Sequence, residues 1–145
     1  MLKGIHHTEI TVKDLDEAVK FYTEKFGLKL VNKITQKVAG DEKGHGLEGS
    51  AMKIAILETG KGALELIEYT NRKGERCKAV PWNTGQMHVA FQVSDIQKMY
   101  EDLRNEKGVK FFSPPISYKT EGINVIWCYL RDPNGAQIEL IQVLE

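Results

Sequence analysis

His7-Thr8-Glu9-Ile10-Thr11-Val12-Lys13-Asp14-Leu15 decides the fold, because His88-Val89-Ala90-Phe91-Gln92-Val93-Ser94-Asp95-Ile96 repeats its pattern later in the chain. The offset is 81 residues at the histidine, the valine and the aspartate, and it holds again between Gly27 and Gly108. A second correspondence joins Ala63-Leu64-Glu65-Leu66-Ile67 to Gln137-Ile138-Glu139-Leu140-Ile141 at an offset of 74, so the second copy is seven residues shorter between its helix and its last strand. Surface loops absorb such losses, and a fixed internal period marks a duplicated structural unit.

Each copy parses in the same way. The alternation around Ile10 and Val12 predicts a strand over 5–12. Asp14 is a natural N-cap, Ala18, Val19, Tyr22 and Phe26 follow helical spacing, and Gly27 suits the residue just past the helix. Strands are expected near 28–38, 50–59 and 62–69, with 37–50, which contains four glycines, read as a mobile loop. The second copy predicts a strand over 86–94 and a helix over 95–107, capped by Asp95 and ended by Gly108. Strands near 109–118, 123–131 and 135–143 follow, the last two joined by the turn Arg131-Asp132-Pro133-Asn134-Gly135. The expected class is α+β: a first βαβββ module over 1–70, a linker over 71–85 and a second βαβββ module over 86–145.

Composition bounds the function. The 145 residues carry 20 Lys plus Arg and 20 Asp plus Glu, so the formal charge is zero. That speaks against a nucleic-acid footprint or a polybasic membrane patch. No apolar run approaches the roughly 20 residues that span a bilayer, and MLKGIHHTEITVKD has no signal-peptide core, so a cytoplasmic protein is expected. A chain of this length buries roughly 68–70% of its unfolded surface without staples. Cys77 and Cys128, far apart and in no metal-binding spacing, read as reduced thiols.

Four polar residues occupy repeat-equivalent positions in strands. His7 lies on the face opposite Ile10 and Val12, and His88 opposes Val89, Phe91 and Val93. Glu65 sits between Leu64 and Leu66, and Glu139 between Ile138 and Leu140. Carboxylates in core-forming strands are rare unless paired or bound to metal. A lone strand histidine or glutamate is an ordinary surface residue; the same two types at equivalent positions in both copies are not. Two imidazoles and two carboxylates form a mixed donor set suited to one divalent ion, Zn, Ni, Mn, Co or Fe. Thr11, Gln92 and Glu9 share the histidines' face. Arg72 and Arg76 fall in the linker, Arg104 on an exposed helix face and Arg131 before the turn, none at a clear ligand-facing strand position. Lys33, Lys37 and Lys43 are the nearest approach to a basic mouth, and Trp82 and Trp127 are candidate pocket walls.

The two His-x-x-[Ile/Phe]-x-Val-x-Asp segments, Phe21-Tyr22, Phe26-Gly27-Leu28 and Asp132-Pro133-Asn134-Gly135-x-x-Ile138-Glu139-Leu140 together resemble the vicinal oxygen chelate superfamily, across essentially the whole chain. The resemblance implies paired βαβββ modules forming a glyoxalase-type open barrel around a metal site, with His7, Glu65, His88 and Glu139 on the four ligand columns. Dioxygen-using members resemble one another in having two His and one Glu; Glu65 makes this set His, Glu, His, Glu, which is similar to glyoxalase I. Methylmalonyl-CoA epimerase typically has Gln in that column, and drug-sequestering members generally lack the metal. The resemblance thus implies a metal-dependent glyoxalase I-like lyase or isomerase that moves a proton next to a carbonyl through a metal-stabilised enediolate, with Glu139 or Glu65 as base. The substrate would be a small 2-oxo or hydroxy-acyl compound or its thiol adduct. A 2-acyl-CoA epimerase, a non-catalytic drug-binding protein and a dioxygenase are the alternatives. Glu48, in the glycine-rich loop, is a weaker candidate for a second base. Family members are commonly dimers, so a homodimer without nucleic-acid or membrane partners is expected.

Overall fold

Ile10 and Val12 point away from His7, Glu9 and Thr11, and this alternation sets the first sheet between a helix and an exposed polar face. The computed structural model describes residues 1–37, 46–78 and 80–145. The described chain is α+β and divides into two compact units, Met1–Glu75 and Arg76–Glu145.

In the first unit, β1 (His7–Thr11) leads into α1 (Leu15–Phe26), then β2 (Lys29–Lys37), β3 (Met52–Glu58) and β4 (Ala63–Tyr69). The sheet order is β1-β4-β3-β2, with β1 parallel to β4 and the remaining pairs antiparallel. The helix begins where expected. Asp14 has an extended backbone and its carboxylate accepts from the Glu17 N–H at 2.9 Å, a cap that stabilises by about 1 kcal/mol. Asp16 and Glu17 in the first turn oppose the positive end of the helix dipole. Gly27 ends the helix in the left-handed region at φ 67°, and its N–H reaches the Tyr22 carbonyl. Leu15, Ala18 and Tyr22 are buried and bring α1 onto the sheet face formed by Ile10, Leu66 and Ala55. The expected mobile loop at 37–50 falls largely outside the described residues, as does Lys43.

The second unit runs β5 (Val89–Gln92), α2 (Ile96–Leu103), β6 (Lys110–Phe111), β7 (Ile116–Thr120), β8 (Ile123–Arg131) and β9 (Gln137–Val143). The order is β5-β9-β8-β6, and β7 also pairs with β8, so β6 and β7 are two pieces of one edge strand. The sequence predicts that strand as continuous over 109–118. It is broken at Ser113-Pro114-Pro115, because proline has no N–H to give the ladder. The helix, expected to reach Lys107, ends at Leu103 and gives way to tight turns, with Glu106 N–H on the Leu103 carbonyl and Val109 N–H on the Glu106 carbonyl. Asp95 caps it as expected, accepting from Lys98 N–H at 2.9 Å.

Both modules tie helix to sheet with the same device. Glu68 on β4 accepts the first free N–H of α1, that of Leu15, at 2.9 Å, and Gln142 on β9 accepts the corresponding N–H of Ile96 at 2.9 Å. Val12 N–H reaches the Ile67 carbonyl, and Val93 N–H the Ile141 carbonyl, each at 2.8 Å. The predicted turn forms: Gly135, at φ 93°, donates to the Asp132 carbonyl at 2.9 Å, while the buried Asp132 carboxylate accepts from Ala136 N–H at 2.7 Å. No helix of the described residues is long and apolar enough to cross a membrane.

Candidate functional site

The sheet face turned away from each helix carries a histidine and a glutamate side by side. In the first unit His7 precedes Glu9 by two residues on β1, and Glu9 is the cross-strand partner of Glu65 on β4. His7 Nε2 therefore comes within 3.3 Å of Glu65 Oε2, with side chains 41% and 17% exposed. In the second unit His88 precedes Ala90 by two residues, and Ala90 is the partner of Glu139 on β9. His88 Nε2 lies 2.9 Å from Glu139 Oε2, with side chains 38% and 14% exposed. Leu64, Leu66, Ile138 and Leu140 flank the two glutamates in sequence and are buried on the other face, so the strand alternation presents each carboxylate outward.

Among the described residues, no three or more His, Cys, Asp or Glu side chains gather into one metal-ready group; the four candidates come together as two pairs, one in each unit. The spacing within each pair fits a metal. Two neighbouring donors on an ion with bonds of about 2.0–2.2 Å sit about 3 Å apart. The surroundings of His7 fit as well, since ligating imidazoles are oriented through their second nitrogen. His7 Nδ1 is 2.8 Å from His6 Nδ1, and the His88 ring packs edge-on against Tyr129 with centroids 5.1 Å apart.

Several residues around the pairs differ between the modules. Tyr129 on β8 is the cross-strand partner of Glu139, which places its phenol beside that carboxylate. Burial, then the Glu139 charge, pushes the Tyr129 phenol above the usual tyrosine range. Trp127 and Phe112 extend the aromatic surface, with ring centroids 5.4 and 6.5 Å from Tyr129. The corresponding position in the first unit, opposite Glu65, is Ile56, beside an aliphatic floor of Met52, Ile54 and Ile67. There Glu9 supplies a further carboxylate where the second unit has Ala90. Burial, followed by the Glu9 charge, raises the Tyr69 phenol on the same face.

His6 and Tyr129 are absent from the sequence reading. Neither belongs to the repeat, and the signal for Tyr129 is the β8–β9 register. Other candidates take structural roles. Thr11 donates to Glu9 at 3.4 Å. Arg72 donates to Ser50 Oγ at 2.8 Å and to the Glu48 carbonyl at 2.7 Å, while the Glu48 residue is exposed. Arg104 pairs with Glu101 on the helix surface, and Lys33 pairs with Asp16, whose carboxyl is held below its usual range by that contact. Trp82 is 85% exposed. Arg131 lies before the turn as expected: it closes β8, two residues beyond Tyr129 and on the same face. Cys128 faces the core, where burial and then the Glu139 charge push its thiol up to about 11, which keeps it protonated.

Two βαβββ modules, each with a His–carboxylate pair on the open face of its sheet, define a duplicated-module α+β class. The chain belongs to the Glyoxalase/Bleomycin resistance protein/Dioxygenase superfamily, whose family model matches residues 4–140. It is 35% identical over 148 residues to a 2-epi-5-epi-valiolone epimerase of Actinomyces, covering 97% of this chain and 79% of that protein. It is 31% identical over 137 residues to a probable lactoylglutathione lyase of Synechocystis, covering 94% and 92%. The lactoylglutathione lyase of Schizosaccharomyces pombe is 32% identical, and this chain spans 48% of its length. Among solved structures, a glyoxalase-family protein from Bacillus cereus superposes with a TM-score of 0.83 at 26% identity, covering 100% of this chain and 97% of that one.

Proposed function

We propose that the chain is an enzyme that removes and returns a proton on the carbon beside a carbonyl group, using a divalent ion for which His7, Glu65, His88 and Glu139 are the candidate ligands. The observation that carries this reading is the repeat-related pair of His–carboxylate contacts, at 3.3 and 2.9 Å. When bound, the ion supplies Lewis acidity that makes the neighbouring C–H more acidic. The protein side is carried by its carboxylates. Glu139 takes the proton, while His88, 2.9 Å away, holds that carboxylate in place. Glu65 is the second carboxylate able to accept or return it. Return to the same carbon is epimerisation; return to the adjacent carbon is glyoxalase-type isomerisation. Similarity to the Actinomyces epimerase supports the first outcome, and similarity to the Synechocystis lyase supports the second.

The test is exchange of the substrate α-hydrogen with deuterated solvent, run on metal-loaded and chelator-treated protein. Candidate substrates are cyclic polyol ketones and the methylglyoxal–glutathione adduct. Exchange that disappears with the metal supports the reading, and product analysis separates epimer from isomer. Metal retained in full by His7→Ala and Glu139→Ala after chelator dialysis counts against the ligand set.

We also propose a homodimer, because each sheet ends in strands whose outer edges need covering. Sedimentation at micromolar concentration is expected to give twice the 16.4 kDa chain mass; a single-chain mass rejects it.

A further inference from the structure

Gly135 in the turn between β8 and β9 gathers two arginines. The Arg131 guanidinium donates from Nη1 to the Gly135 carbonyl at 3.0 Å and lies over the Phe112 ring at 5.4 Å. Arg76 packs directly on the glycine: a side-chain carbon at position 135 would fall 2.5 Å from Arg76 Nε. Glycine leaves this space to the arginine side chain, and φ of 93° asks for glycine as well. Lys110 is the cross-strand partner of Arg131, and Lys78 follows Arg76. These four cations line one open cavity of about 700 Å³, together with Phe112 and Gly108 and without any carboxylate among its lining residues. Arg76, Lys78 and Lys110 form no ion pair among the described residues. Arg76, Lys78 and Lys110 are exposed and have no carboxylate in the lining to offset them, and a concave surface of one charge sign concentrates counter-ions.

The cavity adjoins the Glu139 pair. Arg131 stands two residues from Tyr129 on the same face of β8, about 7 Å along the strand. Phe112 lies beneath the Arg131 guanidinium with its ring centroid 6.5 Å from that of Tyr129. We propose that this cavity is an oxyanion subsite, holding a phosphate or carboxylate on the substrate whose reacting carbon lies at Glu139. Planar guanidinium forks bind both groups through paired hydrogen bonds. The substrate class is therefore a small carbonyl compound with an anionic terminus. The assignment of the reacting end rests on the proposed proton transfer; the anion site itself does not.

The experiment titrates the full-length protein with inorganic phosphate, and separately with malonate, at constant ionic strength against a chloride control, followed by calorimetry and amide NMR shifts. Saturable binding is expected, weakened at least tenfold by Arg76→Gln and by Lys110→Gln, two exposed positions whose variants are checked for native circular dichroism. Tighter phosphate binding assigns a phosphoryl terminus, and tighter malonate binding a carboxylate. Shifts reproduced by chloride, or binding unchanged in both variants, overturn the subsite. Phosphate binding does not require turnover, so a protein that binds phosphate yet shows no α-hydrogen exchange keeps the subsite and loses the proposed reaction.

Discussion

Glu139→Gln is expected to keep the fold and lose about 10²–10⁴-fold of the α-hydrogen exchange rate, the range of a general base. The amide fills the same volume and its oxygen still coordinates, but it cannot take a proton. Glu65→Gln is the decisive comparison. Its cross-strand partner on β3 is Ile56, so no phenol is lost or stranded there. A modest effect at Glu65 beside a large one at Glu139 assigns the base to the second module. Equal losses give the two carboxylates equal shares in the proton transfer, and unchanged exchange in Glu139→Gln removes it from that role. The measurement is deuterium incorporation by mass spectrometry, with metal content determined on the same samples.

Leu66→Ala is expected to destabilise the protein by about 2–5 kcal/mol, the range for emptying a leucine site in a packed core. Leu66 is fully buried on the central strand of the first sheet, between Ile10 on β1 and Ala55 on β3. Helix α1 packs over this face of the strand. Val31→Ala is the control: Val31 is 60% exposed, and its loss should lie within about 0.5 kcal/mol. Denaturant midpoints compared at constant slope check both values.

Much of the fold was legible because its determinants are local. Asp14 and Asp95 cap the helices, Gly27 stops the first, and Asp132-Pro133-Asn134-Gly135 turns the last hairpin, each within a few residues of the feature it controls. The exceptions trace to a competing local rule. Pro114-Pro115 overrides the alternation that suggested one unbroken edge strand, and the second helix gives way to tight turns four residues before Gly108. The pairing of His7 with Glu65 and of His88 with Glu139 was foreshadowed by the repeat, since equivalent residues occupy equivalent strand positions. Tyr129 and Arg131 were not. Their place beside Glu139 and over Phe112 depends on how β8 aligns with β9 and β6, a register that no window along the chain contains. The repeat also conceals them, because the first module has Ile56 opposite its glutamate.

The parallel pairing that opens each module has a consequence in time. Hairpins β3–β4 and β8–β9 join neighbours in the chain, whereas His7 pairs with Ala63 and Val89 with Ile138, roughly fifty residues away. Closing so long a loop loses more chain entropy than zipping a hairpin, so the parallel seam is the late event in assembling either half. Each histidine stands on one side of that seam and its carboxylate on the other. A nascent or partly unfolded chain thus holds helices and hairpins before it holds either His–carboxylate pair, and the chemistry appears only when the slowest contact has closed.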